Sequence, residues 1–569
     1  MRKSSFAPGI LFIVFALALP ALIIAQQTRS ARRTTSPDRS GSANAPGGRS
    51  ETSGPAIKSD LSEALAVIQT NHIDGRKLDY NNIFKSSISG MLSVLDPHST
   101  YFDPAEYAAF RTEQRSEYFG IGATIEDLRE GSDVNTFIRA TFPDSPAARA
   151  GLRYGDRILA VDGNSMKGKT YPEVRKFLLG ARGTTVKVSV EHAATKQQET
   201  VNIIRDAVSL PSISQAYMLR PGVGYVAMTG GFNLTTDDEF GDALKQLHSR
   251  GMNMLVLDLR GNRGGLLIQA VRVANRFLQR GQMIVTQKGR IKDSTQPYAA
   301  VNENPDSVPV VVLVNGDTAS AAEIVAGALQ DHDRALIVGE TTFGKGLVQF
   351  PFQLDYDSAL LLTIAKYYTP SGRLIQRDYS GGGTYDYYFP GGVAGDKNNQ
   401  PKTQPNGPES HTDMGRAVYG GGGISPDEVV KPGLISASER HLRDVLFAFS
   451  LELVSGRVAG FESYKIQRAI EFDHDLANDD YPVTDPLFKE LKKFAASKPM
   501  FKVTQDQLDK SRTYAERQLR YNLLSAAYGY RTATQVFIND GDPQIAKAVD
   551  AMPRARELAL AASRARARG

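Results

Sequence analysis

An unbroken apolar run, Val310 to Val314, ends in a polar turn and is followed by a second apolar stretch, Ala321 to Leu329. The first has the length of a strand and the second that of a helix, which predicts a strand–turn–helix unit. Ser320 stands at the junction. Lys345, flanked by Gly344 and Gly346, follows 25 residues later, beyond another apolar strand at Ala335–Val338. Similar segments recur across residues 208–435, with strands expected at Val223–Met228, Met254–Leu259 and Leu360–Ala365 and helices at Asp237–Arg250 and Gly265–Leu278. That alternation predicts an α/β core.

At 569 residues the chain is too long for one core, and roughly three or four domains of ~150 residues are expected. The formal charge of +5 is small for this length, and much of it sits at Arg29, Arg32, Arg33, Arg39, Arg49 and the Arg-Ala-Arg-Ala-Arg end. No nucleic-acid surface follows from it. Cysteine is absent, which excludes thiol catalysis, disulfides and cysteine-ligated zinc. The eight histidines form no His-Glu-x-x-His pattern, and Asp331-His332-Asp333 is expected as a polar turn rather than a metal or triad fragment.

Arg2-Lys3 precedes an apolar run from Ile10 to Ala25, followed by Gln26-Gln27. Residues 1–25 are therefore expected to be a secretory signal or an uncleaved membrane anchor. Either places the remainder in the cell envelope, periplasmic or extracytoplasmic, with residues 6–25 as the tether in the second case. Residues 26–56, poor in large apolar side chains, are expected to be a disordered linker. Residues 57–115 carry a helical pattern through Leu61, Leu65, Ile68, Ile83, Ile88, Met91 and Leu95, ending at Asp96-Pro97-His98-Ser99. Residues 380–423, rich in Gly, Tyr, Asn and Pro, are expected as a surface loop. Residues 436–569 are expected to be helical, with Leu508, Ala515, Leu519 and Leu523 on one face, for packing or oligomerisation.

Between residues 116 and 207 the pattern is different. Gly120-Ile121-Gly122-Ala123 enters a strand, Ser145-Pro146 opens a short helix closed by Gly151, and Gly155-Asp156-Arg157-Ile158-Leu159-Ala160-Val161-Asp162-Gly163 is a strand between turns. The element order and the last phrase resemble a PDZ domain. That resemblance implies that the backbone N–H groups of Gly120, Ile121, Gly122 and Ala123 meet a peptide's terminal carboxylate, while the peptide adds a strand. A small β-rich domain with no peptide is the alternative.

Gly339-Glu-Thr-Thr-Phe-Gly344-Lys345 matches a phosphate loop, but Gly346 stands where a magnesium-holding Ser or Thr belongs. The following Leu347-Val348-Gln349-Phe350 is also a strand pattern, not a helix. Ser320-Ala321-Ala322-Glu323 is a capping box, and spacing alone does not separate a capping serine from a nucleophile. No G-x-S-x-G elbow is present.

Further phrases complete the set: Asp258-Leu259-Arg260-Gly261-Asn262-Arg263-Gly264-Gly265, Tyr368-Thr369-Pro370-Ser371-Gly372-Arg373 and Gly422-Gly423-Ile424-Ser425-Pro426-Asp427. In this order, behind a PDZ-like segment, they resemble the C-terminal processing peptidases, or tail-specific proteases, over roughly residues 60–435. The resemblance implies a crotonase-like α/β protease core at 208–435 with an inserted PDZ-like domain at 116–207, between helical regions at 57–115 and 436–569. It also implies Ser320 as nucleophile, Lys345 as general base and Gln349 as the glutamine that orients the lysine. The oxyanion hole would use the N–H groups of Ala321 and Gly264. Arg263 replaces the family's common proline.

Burial should lower the pKa of Lys345 so that it acts as a base, with Phe343, Leu347 and Phe350 as candidate pocket walls. In a regular strand Lys345 and Gln349 would be ~13 Å apart, so their contact needs a bend, plausible at Gly346. The expected function is a serine endopeptidase that cleaves proteins near their C-termini, its PDZ domain recognising the tail. No metal or organic cofactor is implied. A homo-oligomer or an activating adaptor is compatible with this. The alternative is a non-catalytic PDZ scaffold that binds protein C-termini in the envelope.

Overall fold

The computed structural model describes residues 54–115, 117–291, 294–380, 387–388, 407–466 and 469–567. The expected signal or anchor at 1–25, most of the linker and much of the 380–423 loop lie outside the described residues. The chain divides into two compact units, with the boundary in sequence between Tyr101 and Phe102.

In the first unit, helix Gly54–Asn71 begins three residues inside the expected linker, with Pro55 suited to its first turn. Helix Tyr80–Ser93 is capped by Asp79, which accepts the Asn82 N–H at 3.2 Å. The Asp-Pro-His-Ser phrase is a turn closed by Asp96, which accepts the N–H groups of His98 and Ser99, both at 2.8 Å. The expected apolar stripe is only partly covered. Leu61, Ile68, Met91 and Leu95 are exposed, and Leu92 is buried.

The second unit begins with helix Pro104–Glu113, capped by Asp103, and then builds a PDZ-like sheet. Its strand order is Ala123–Glu130, Asp133–Thr141, Arg157–Val161, Thr185–Glu191 and Gln198–Ile204, all antiparallel. Asp162 and Gly163, both at positive φ, make the two-residue turn to strand Asn164–Ser165. Two left-handed residues give the turn whose twist matches a hairpin. Helices Pro146–Arg149 and Tyr171–Leu178 close the core around Ile138, Val161, Val174 and Val188.

The larger sheet runs Gln215–Arg220, Val223–Ala227, Met254–Asp258, Val310–Val314, Ala335–Gly339, Glu428–Val429. The first pair is antiparallel and the others are parallel. Alternate residues explain why Val310–Val314 is apolar throughout. Val310 and Val312 pack towards helices Thr236–Ser249, Leu267–Asn275 and Ala321–Asp331. Val311 and Leu313 pack against Ile545, Ala548, Met552 and Ala555 of helices Pro543–Asp550 and Met552–Arg566. A strand buried on both faces loses the two-residue alternation. The C-terminal helices, expected only as a packing or oligomerisation element, thus supply one wall of the core. Arg260 ties them to the sheet, pairing with Asp258 and Asp542 at 2.6 Å each. A second, antiparallel sheet contains Met283–Gly289, Gln296–Ala299, Leu347–Gln353 and Ala359–Tyr368.

Helices Arg443–Val454 and Arg512–Gly541 also fasten the PDZ-like domain. The buried Arg139 guanidinium reaches Glu126 at 2.8 Å, the Tyr154 hydroxyl at 3.0 Å and Asn522 Oδ1 at 2.8 Å. It also sits 4.3 Å from the Phe447 ring centre. The longer helix breaks at Gly529, where φ is +80°. Beyond the break, Arg531 O accepts from Gln215 and Asn539 accepts from Tyr217, both at 2.9 Å, so one element spans from the PDZ-like domain to the larger sheet. Arg139→Ala removes one of the two partners of Glu126, which keeps Arg443, and one of the two donors to Asn522 Oδ1, which keeps Gln518, and empties the space beside Phe447. It is expected to cost about 3 kcal/mol. Urea unfolding of the full chain checks this, and an unchanged midpoint would contradict it.

Candidate active site

Two turns are sewn together ahead of the helix that starts at Ala321. Thr318 Oγ1 donates to Leu259 O, Ala319 N–H to Asn262 O and Gly261 N–H to Asn315 Oδ1, each at 2.9 Å. Ser320 is thereby held at φ +56° and ψ −117°, a conformation a non-glycine residue adopts only under constraint. Its N–H donates to Glu323 Oε2 at 2.8 Å, and the Glu323 N–H returns to the Ser320 carbonyl oxygen, also at 2.8 Å.

Glu323 does more than begin a helix. Its residue is fully buried, and its carboxylate also accepts the N–H groups of Gly344 at 2.7 Å and Lys345 at 2.8 Å, together with the Thr342 hydroxyl. Thr342 in turn accepts the Ile424 N–H at 2.7 Å. Burial pushes the Glu323 carboxyl up to about 7, and the four donors oppose that shift. One side chain therefore joins the backbones of Ser320 and Lys345. The Ser-x-x-Glu pattern had indicated only the local half of this.

Gly264 lies against Ser320. A Cβ there would stand 2.7 Å from Ser320 Cβ and 2.9 Å from Ala321 N, and its φ is +93°. Its N–H, however, donates to Asn262 Oδ1 at 2.9 Å. The N–H expected to serve the oxyanion hole thus has a partner within its own turn: a side chain two residues back closes it. The next amide, Gly265 N–H, has no acceptor among the described residues. Its neighbours bond instead, Phe232 N–H to Gly264 O and Leu266 N–H to Phe232 O. Ala321 N–H, the first of the helix, also has no acceptor among the described residues. Arg263 pairs with Asp317 at 3.5 Å, both more than half exposed.

Lys345 precedes strand Leu347–Gln353 and is partly buried. The Gly346 N–H donates to Gln376 Oε1 at 2.8 Å, and Gln376 donates on to the Tyr387 hydroxyl at 3.1 Å. Phe343 is half-buried beneath Tyr387 and Arg377. Leu347 is buried, whereas Phe350 is 50% exposed and meets Phe352 instead. Phe350 is therefore no pocket wall: it lies on the same face of the strand as the exposed Phe352. Gln349 donates to Thr363 Oγ1 at 3.3 Å. The irregularity in this hairpin falls between Val348 and Gln349, where the partner strand skips Ile364, and not at Gly346. The strand after Lys345 also has no place in a phosphate loop, which opens a helix.

His332 and Asp333 form the expected polar turn after the helix, and with Asp331 they are buried, their polar atoms met by protein groups. Asp331 accepts the Ser371 N–H at 2.9 Å and the Arg373 guanidinium. Asp333 accepts Arg416 and the Met414 N–H, both at 2.6 Å. Asp427 accepts the Ile337 N–H at 2.8 Å and Arg416. The Thr-Pro-Ser-Gly-Arg and Ile-Ser-Pro-Asp phrases are thus anchors for the far end of the helix that Ser320 begins.

The glycine loop joins strand Glu117–Gly120 to the edge strand Ala123–Glu130. Ile121 O accepts the Ala147 N–H at 2.7 Å and Gly122 O the Phe142 N–H at 3.0 Å. The Gly122 N–H is taken by the Tyr118 hydroxyl oxygen. A peptide carboxylate would have to displace it.

Known proteins share this organisation. The model of peptidase family S41 matches residues 222–388, and that of the PDZ domain matches residues 137–191. The carboxy-terminal-processing protease of Bartonella bacilliformis is 37% identical over 304 residues, 52% of this chain and 68% of that protein. The carboxy-terminal processing protease CtpA of Bacillus subtilis is 34% identical over 332 residues, 58% of this chain and 69% of that one. A solved structure of a photosystem II D1 C-terminal processing protease is 32% identical, covers 55% of this chain and 88% of its own, and has a TM-score of 0.32. By these identities and coverages the chain belongs to the carboxy-terminal-processing proteases of peptidase family S41, serine-type peptidases that carry a PDZ domain.

Proposed function

We propose that the protein cleaves other proteins near their carboxyl ends through a Ser320–Lys345 dyad, with the PDZ domain receiving the tail. The observation that carries this is the Glu323 carboxylate, which bonds the backbone N–H groups of Ser320 and Lys345 at 2.8 Å each. In the proposed sequence Lys345 Nζ takes the proton of Ser320 Oγ, which attacks the scissile carbonyl carbon. The oxyanion is received by the N–H groups of Ala321 and Gly265, with the helix dipole adding to their field. Gly264 holds the turn and keeps the space clear. Lys345 then gives its proton to the leaving amine. Water, deprotonated by Lys345, hydrolyses the acyl-enzyme, and the proton returns to Ser320 Oγ. Gln349 is proposed to orient Lys345, acting from its place beside Thr363.

The open edge of strand Ala123–Glu130, beside helix Tyr171–Leu178, supports strand addition by an incoming tail. The domain limits given above, the crotonase-like character of the core, the extracytoplasmic location, the tether at 6–25 and any oligomer or adaptor belong to the same proposal.

Against an unfolded protein with an apolar carboxyl end, Ser320→Ala and Lys345→Ala should each lower kcat by roughly a thousandfold or more. Wild-type rates in both would refute the dyad, and binding without cleavage by the wild type would favour the scaffold. Gly264→Ala should lower kcat by about 100-fold, since its Cβ crowds the oxyanion donor. Gly261→Ala, at φ +73° but with open space around it, should leave kcat intact and cost only about 1 kcal/mol. Equal kcat losses at both glycines would argue against the assigned geometry. Because the Glu323 carboxyl lies near 7, protonation as pH falls through that value puts an O–H among four donors and should weaken the clamp. Glu323→Gln imposes that neutral state at every pH and should cost about 100-fold in kcat at pH 8. A fully active variant there would contradict the role given to the carboxylate.

A further inference from the structure

Tyr367 stands near the end of strand Ala359–Tyr368 and is 1% exposed. Its N–H donates to Gly346 O at 3.0 Å. Its phenol oxygen lies 2.5 Å from Lys345 O and 2.9 Å from Ser320 O. A phenol carries one proton and a carbonyl oxygen none, so two carbonyls converge on a single donor. The Ser320 carbonyl also accepts the Glu323 and Ile324 N–H groups at 2.8 and 3.1 Å. The Lys345 carbonyl is the nearer of the phenol's two acceptors.

Glu323 and Tyr367 divide the work between them. At both Ser320 and Lys345 the N–H is held by the carboxylate and the C=O by the phenol. Both peptide groups flanking each Cα are thus fixed, leaving the side-chain torsions as the remaining freedom. Burial first, and the neighbouring Glu323 carboxylate next, push the phenol's pKa well above its ordinary value, so it stays a donor at any working pH.

We infer that Tyr367 is a positioning residue of the peptidase reaction, bridging the carbonyls of Ser320 and Lys345 and so setting the separation of nucleophile and base. This rests on the dyad proposed above. A base must lie within hydrogen-bond reach of the proton it removes, and a displacement near 1 Å costs about 100-fold in rate.

The test is Tyr367→Phe in the full chain, beside wild type, Ser320→Ala and Lys345→Ala, on a carboxymethylated unfolded protein with an apolar carboxyl end. The expected result is a kcat lower by about 10- to 100-fold with KM within about twofold. The acid limb of kcat/KM should move to higher pH, because a loosened Lys345 admits water that favours its ammonium form. A loss of folded protein alone would lower the rate without moving that limb. Where Tyr367→Phe folds poorly, p-aminophenylalanine at position 367 returns a donor to the same point and should recover most of the lost kcat. Wild-type kcat and pH profile in Tyr367→Phe, or no recovery with the amino analogue, overturns the inference. Cleavage at wild-type rates by Ser320→Ala and Lys345→Ala would instead overturn the dyad itself.

Discussion

The carboxylate of Glu323 holds two distant pieces of chain at one point. It sits at zero exposure with donors from Ser320, Thr342, Gly344 and Lys345 around it. A buried carboxylate is costly unless its lone pairs are filled, and here the groups that fill them are mostly backbone amides. The requirement therefore acts on the main chain: the Gly344–Lys345 segment must approach the start of the Ser320 helix. Gly344, at φ +86° and pressed against Gly422 and Gly423, supplies the backbone freedom for that approach. Thr342 extends the constraint to Ile424, so the segments of Ser320, Lys345 and Ile424 converge on one acid.

Behind this point the architecture is a sheet covered twice. The helices after Thr236, Leu267 and Ala321 lie on one face and the last two helices of the chain on the other. The far end of the Ser320 helix is held as firmly as its beginning, by Asp331, Asp333 and Asp427 with their arginines. Such pairs add little net stability over apolar packing, but losing one partner is costly. They fix the helix along its axis, and with it the amide of Ala321.

Ser320 was visible in the sequence at a strand-to-helix junction and Lys345 between two glycines, and the surrounding phrases narrowed their meaning. The α/β core was equally visible from its runs of valine, leucine and alanine. Tyr367 left no trace, since a tyrosine in an apolar strand says nothing about where its hydroxyl points. The Asp331–Asp333 turn was legible as a polar turn, but its burial was not, because charge pattern carries no information on burial. The C-terminal helices announced themselves as helices, but what their faces cover is a long-range fact that periodicity does not encode. The amide choice between Gly264 and Gly265 depends on Asn262, whose carboxamide orientation is equally silent in sequence.

Arg139 bears on how separable the parts of this protein are. PDZ domains are commonly treated as portable modules, joined to their hosts by linkers. Here a guanidinium on the domain's second strand ends inside the C-terminal helices, on Phe447 and Asn522, and the helix bearing Asn522 continues past Gly529 to Asn539, beside the larger sheet. Exchange of this domain for a relative's would leave a polar socket without its plug, so recognition and architecture are inherited together rather than assorted independently.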